Sequence, residues 1–135
     1  MSEAKAVAYM AHRGQTRRDG ETPYIKHVEK VVKILELFDQ EKCVKDIAWL
    51  HDVLEDTDLS EPDLAKADVP YNARMHIPRL TKEKGESYEQ YIEKVKRNML
   101  TTKVKIADIL ANLSDDPTPK QVEKYVKALK ILLGT

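Results

Sequence analysis

The chain has 135 residues, 41% hydrophobic and 34% charged. That length and balance suit one domain over residues 1–135 with a buried core, and they exclude a disordered chain. Lys plus Arg equals Asp plus Glu at 23 each, which excludes an overall electrostatic pull toward nucleic acid or an anionic membrane.

The one cysteine, Cys43, has no partner for an internal disulfide, as expected in a reducing, cytoplasmic setting. No apolar run is long enough to span a bilayer, and Met-Ser-Glu-Ala-Lys lacks the apolar core of a signal peptide. Valine and isoleucine fall at helical spacing rather than in alternation, so the chain reads as an all-α bundle.

In chain order, residues 2–13 predict a first helix packed through Ala4, Val7, Ala8 and Ala11, with His12 near its end, where a cation suits the helix dipole. Residues 13–23, with two glycines and a proline, predict a loop. Thr22 as N-cap and Pro23 at the first helical position predict a second helix to about Phe38, with Ile25, Val28, Val32, Leu35 and Phe38 on its apolar stripe and His27 in its first turn. A third helix, about Cys43 to Leu54, carries Ile-Ala-Trp-Leu-His-Asp-Val-Leu. The segment 58–70 is turn-rich, with a short helix after the capping Ser60, and another short helix falls between Tyr71 and Leu80. After a charged loop, Ser87 and Gln90 form a capping box that opens a helix from Tyr88 to about Leu100. A further helix covers roughly Thr102 to Leu113, and a last one runs from Pro119 to near Gly134.

Chemistry concentrates around His51. Asp52, Glu55 and Asp56 follow at spacings that gather three carboxylates on one helical face, at about 3.6 residues per turn. Like charges on one face call for compensation, and a metal ion is a natural source. Asp108 sits inside the apolar run Val104 to Leu113. Aspartate is seldom buried unless paired or bound to metal; the alternatives for it are a surface position or a buried ion pair. His27 and His51 with Asp52 and Asp108 make a mixed nitrogen and oxygen set suited to Mn, Fe or Zn rather than Ca. Helical bundles build such sites from facing helices. For His27 the plainer reading is an ordinary surface or capping residue, and for Asn112 a helix-end hydrogen bond. Arg13, Arg17 and Arg18 cluster in the loop before His27; they read as a solvated loop or as phosphate binders. Lys82 and Lys84 allow the same two readings. Tyr24, Tyr88, Tyr91 and Tyr125 read first as core and second as base-stacking surfaces, and Trp49 as core.

Three stretches carry a family resemblance. Ala11-His12-Arg13-Gly14-Gln15 with Arg17 to His27 resembles the opening of the RelA/SpoT-type alarmone hydrolase domain. Leu50-His51-Asp52-Val53-Leu54-Glu55-Asp56-Thr57 is similar to its central motif, and Val104-Lys105-Ile106-Ala107-Asp108-Ile109-Leu110-Ala111-Asn112-Leu113 to its third. The order is the family's, and the short length matches its small stand-alone branch. Val28 after His27 and Ile109 after Asp108 stand where proline and arginine are usual.

The resemblance implies an HD-domain helical bundle holding one Mn2+, with His27, His51, Asp52 and Asp108 as ligands. It implies Glu55 and Asp56 as the groups that hold and activate water. It places Arg17 and Arg18 on phosphates or base, and Asn112 on the sugar. The implied activity is removal of the 3′-pyrophosphate from guanosine tetra- or pentaphosphate, with a small-molecule nucleotide as the partner and no nucleic acid or membrane. Two alternatives remain: an HD hydrolase acting on NADPH, a deoxynucleotide or a nucleoside monophosphate, and a nucleotide-binding sensor without catalysis. The sequence leaves the oligomeric state unknown.

Overall fold

A computed structural model describes residues 2–135. Among the described residues nine α-helices follow one another: α1 Glu3–Ala11, α2 Ile25–Glu36, α3 Lys42–Leu50, α4 Val53–Asp56, α5 Glu61–Lys66, α6 Tyr71–Arg74, α7 Tyr88–Lys96, α8 Met99–Leu113 and α9 Pro119–Leu133. A 3-10 helix, Ile77–Leu80, precedes α7. Among the described residues there is no strand beyond an isolated bridge between Thr16 and Pro23. No helix among the described residues is long and apolar enough to cross a membrane.

The helix α2 lies at the centre, packed on α3 and α8, with α1 against α3, and α9 against α7 and α8. Val28, Val31 and Leu35 of α2 are fully buried, as are Ile47 and Leu50 of α3 and Ile109 of α8. Each such side chain contributes about 1.5–3 kcal/mol by leaving water. The site sits where these three core helices meet, so the same packing that holds the fold positions its chemistry.

Several helix ends follow from local chemistry. Ser87 accepts from the Gln90 amide at 3.0 Å and the Gln90 side chain accepts from the Ser87 amide at 2.9 Å. Thr118 and Gln121 repeat the box at α9, and Gly134, at φ 76°, ends that helix in the left-handed region. Asn98 caps α8 by accepting from Leu100 and Thr101 amides at 2.8 and 3.2 Å, so this helix begins three residues before the expected Thr102.

Two expectations are corrected. The second helix does not start at Pro23. Asp19 Oδ1 accepts from the amides of Glu21 and Thr22 at 2.9 and 2.8 Å, and the Thr22 hydroxyl turns to Asp19, so Thr22 caps nothing and α2 begins at Ile25. It ends at Glu36, which leaves Phe38 about half exposed instead of on the buried stripe. The third helix breaks after Leu50. The His51 ring bonds the Ala48 carbonyl through Nδ1 at 2.7 Å, while Asp52 takes the cap position of α4.

Candidate active site

Three helices deliver one cluster. His27 stands on the first turn of α2, His51 at the C-terminal end of α3 and Asp108 in the middle of α8; all three are buried. Their ligand atoms lie within 4.8 Å of one another. Asp108 Oδ1 is 2.9 Å from His27 Nε2 and 3.4 Å from His51 Nε2. Asp52 stands beside this trio, its Oδ2 at 3.0 Å from His51 Nε2, and belongs to a second acidic group with Glu55 and Asp56.

The His51 ring decides what such a cluster can hold. Its Nδ1 faces a carbonyl and so carries a hydrogen. Its Nε2 points between two carboxylate oxygens, yet has hydrogen-bonding geometry to neither and is buried. These approaches are therefore charge contacts converging on a common point. Burial disfavours a proton on this ring, but Asp52 and Asp108 outweigh it and raise its pKa well above the ordinary histidine value. A positive centre belongs among these donors, and the set of two imidazoles and a carboxylate fits a divalent metal ion.

Around the cluster lie residues that sequence reasoning missed or read differently. Lys105, one turn before Asp108, is buried and its Nζ donates to Asp108 Oδ2 at 2.8 Å. The buried ion pair weighed as an alternative for Asp108 is thus present on one oxygen, and the histidine cluster on the other. The i,i+3 spacing of Lys105 and Asp108 was the available signal. The Tyr24 hydroxyl donates to Asp52. Burial opposes the Asp52 charge, but His51 prevails and lowers its pKa.

His12 is no dipole-facing cation. Its ring is buried, which lowers its pKa against the opposing hydrogen bond to Gln15. His12 Nδ1 lies 2.8 Å from Gln15 Oε1, and Gln15 Nε2 donates to the Asp56 carbonyl at 2.9 Å. This link anchors the acidic turn. Glu55 is anchored from the other side, its Oε1 accepting from the Lys82 amide at 2.7 Å. Burial, then Asp52 and Glu55, push the Asp56 carboxyl up to about 6.

Arg17 Nη2 donates to Asn112 Oδ1 and to Asp115 Oδ2, both at 3.1 Å. A hollow of about 130 Å3 opens beside His27, between Arg17, Lys26, Lys30 and Asp115. Arg18 lies exposed in a neighbouring hollow with Asp19 and Asp116. Of the tyrosines, Tyr91 is core, its hydroxyl donating to the Leu80 carbonyl at 2.7 Å. Lys124 rests 4.2 Å from the Tyr88 ring and 5.4 Å from that of Tyr125. Trp49 is core, as expected. A hollow of about 520 Å3 between α1, α2 and α3 contains no residue of the cluster.

A helical bundle that brings two histidines and an aspartate from three helices beside an acidic turn has the architecture of the HD-type hydrolases. Over 123 residues, 84% of the chain, it is 38% identical to the guanosine-3′,5′-bis(diphosphate) 3′-pyrophosphohydrolase MESH1 of Drosophila melanogaster, of which it spans 67%. It is 26% identical over 139 residues to a probable guanosine-3′,5′-bis(diphosphate) 3′-pyrophosphohydrolase of Synechocystis, and spans only 18% of that longer protein. A solved structure of a metazoan orthologue of SpoT, described as hydrolysing ppGpp and acting in starvation responses, superposes with a TM-score of 0.79 at 31% identity, covering 98% of this chain and 82% of that one. No protein-family model matches. The chain belongs to the family of SpoT-like guanosine-3′,5′-bis(diphosphate) 3′-pyrophosphohydrolases.

Proposed function

We propose that this chain is a Mn2+-dependent hydrolase that removes the 3′-pyrophosphate from guanosine tetra- or pentaphosphate, acting in the cytoplasm. One observation carries the reading: His27, His51 and Asp108 converge from three helices directly beside the Glu55–Asp56 turn. The relatives' named activity supplies the substrate.

In this reading His27, His51 and Asp108 hold the ion, with Asp52 as fourth ligand. Bound there, the ion supplies Lewis acidity toward a phosphoryl oxygen and toward water. Asp56, at about 6, is largely ionised at neutral pH and close enough to that value to take a proton from the attacking water. Glu55, fixed by the Lys82 amide, orients that water. The water adds to the phosphorus bonded to the 3′ oxygen, the bond between them breaks, and pyrophosphate leaves a free 3′-hydroxyl. Arg17 and Arg18 offset phosphate charge, and Asn112 meets the ribose.

The test incubates the Mn2+-loaded protein with guanosine tetraphosphate, NADPH, deoxynucleotides and nucleoside monophosphates, and measures released pyrophosphate and orthophosphate. Pyrophosphate from guanosine tetraphosphate is expected. Orthophosphate from another nucleotide alone replaces the substrate, and binding without release makes the chain a sensor.

A further inference from the structure

The two oxygens of Asp108 are divided between two environments. Oδ1 faces His27 Nε2 at 2.9 Å, His51 Nε2 at 3.4 Å and the Asn112 amide nitrogen at 3.4 Å. Oδ2 is taken by the Lys105 ammonium at 2.8 Å. That ammonium is not a mobile surface charge. Lys105 is buried, and Nζ lies 5.1 Å from the centre of the Tyr91 ring, which is itself fixed by its hydroxyl on the Leu80 carbonyl. Burying an ammonium is costly unless it is paired, so the fold keeps Oδ2 engaged.

We propose that Lys105 is a positioning residue that confines Asp108 to one-oxygen coordination and thereby selects small nitrogen-tolerant divalent ions over Ca2+. The inference rests on the cluster being a metal site, but not on which nucleotide is hydrolysed. Ca2+ takes 6–8 oxygen ligands and gains from two-oxygen carboxylates. With two imidazoles in the set and Asp52 as the other carboxylate, an Asp108 limited to one oxygen leaves Ca2+ short of oxygen donors. Mn2+ and its neighbours accept imidazole and need no second oxygen from Asp108. Removing the lysine frees Oδ2 to turn toward the ion.

The decisive quantity is the ratio of Mn2+ to Ca2+ affinity, measured by calorimetry with each metal alone. Loss of the ammonium's repulsion raises affinity for both ions together, and general loosening of the site lowers both together, so neither moves the ratio. In Lys105→Met the ratio is expected to fall by about tenfold, the lower end of effects seen on removing a ligand's supporting partner. Lys105→Arg, which still donates to Oδ2, is expected to keep it. An unchanged ratio in Lys105→Met overturns the proposal, whichever way the separate affinities move. A parent protein that binds no Mn2+ overturns the metal reading and this inference with it. Should Lys105→Met fail to fold, a structure of the Mn2+-loaded parent reads the same point. One Asp108 oxygen toward the ion and the other on Lys105 supports it, and two oxygens on the ion overturns it.

Discussion

Arg17 and Asp115 are joined across 3.1 Å, tying the loop before α2 to the turn after α8. The same guanidinium nitrogen also reaches Asn112, so the two residues expected to contact substrate are hydrogen-bonded to each other. A phosphate arriving at Arg17 must displace Asp115. Asp115→Asn is therefore expected to lower KM for the nucleotide severalfold with kcat little changed, an effect that fades as salt rises. Because Asp115 is half exposed, its loss costs less than about 1 kcal/mol of stability. Steady-state kinetics at two ionic strengths checks this, and an unchanged KM removes Asp115 as a competitor for Arg17.

Asp108 holds together groups that cannot stand alone. Asp108→Ala leaves the Lys105 ammonium buried without a counter-charge, at a cost of about 3–5 kcal/mol. It should also abolish Mn2+ binding. Adding Lys105→Met removes the stranded charge, so the double variant is expected to recover much of the melting temperature without recovering the metal. Thermal melts with calorimetry separate the two effects. If the double variant is no more stable than Asp108→Ala, the ion pair is not what the substitution exposes.

Glu55 separates binding from turnover. It is exposed and lies outside the histidine cluster, held by the Lys82 amide. Glu55→Ala is expected to bind Mn2+ as the parent does and to lose at least about 100-fold in kcat. His51→Ala, by contrast, should lose the metal. Normal turnover in the Glu55 variant would end its assigned catalytic role.

How far these relationships were visible beforehand depends on what local chemistry can decide. Ser87, Gln90, Pro119 and Gly134 mark helix ends through their own backbone preferences, and those ends fell where expected. Thr22 and Pro23 carry an equally clear signal, but Asp19 captures the turn first. The apolar periodicity through Ile47, Leu50 and Leu54 implies an unbroken helix. The break at His51 comes from a ring turned onto the Ala48 carbonyl, a choice made by the buried site. The convergence of His27, His51 and Asp108 was suggested by residue type and family motif, because spacing along the chain says nothing of which helices face each other. Lys105 was missed for a related reason. A lysine three residues from an aspartate is usually a solvated surface pair, and only packing against Tyr91 makes it a buried one.

Asp56 sets a pH dependence whose sign is fixed by its environment. Burial, Asp52 and Glu55 raise its carboxyl from the ordinary 3.8 to about 6, against the lesser effects of His51 and the Tyr24 hydroxyl. Between those values the folded metal-free protein holds a proton that the unfolded chain has released. By linkage this group's contribution to stability falls as pH rises through that window, and the penalty is complete above about pH 6. Asp56 is exposed, so solvent screening reduces the effect to on the order of 1 kcal/mol. Asp56→Asn removes it. In the metal-free protein the variant should melt about 3 °C above the parent at alkaline pH and level with it below the ordinary carboxylate range. A difference that is constant across pH would mean that the Asp56 carboxylate is not strained by its neighbours, and that its proton affinity comes from elsewhere.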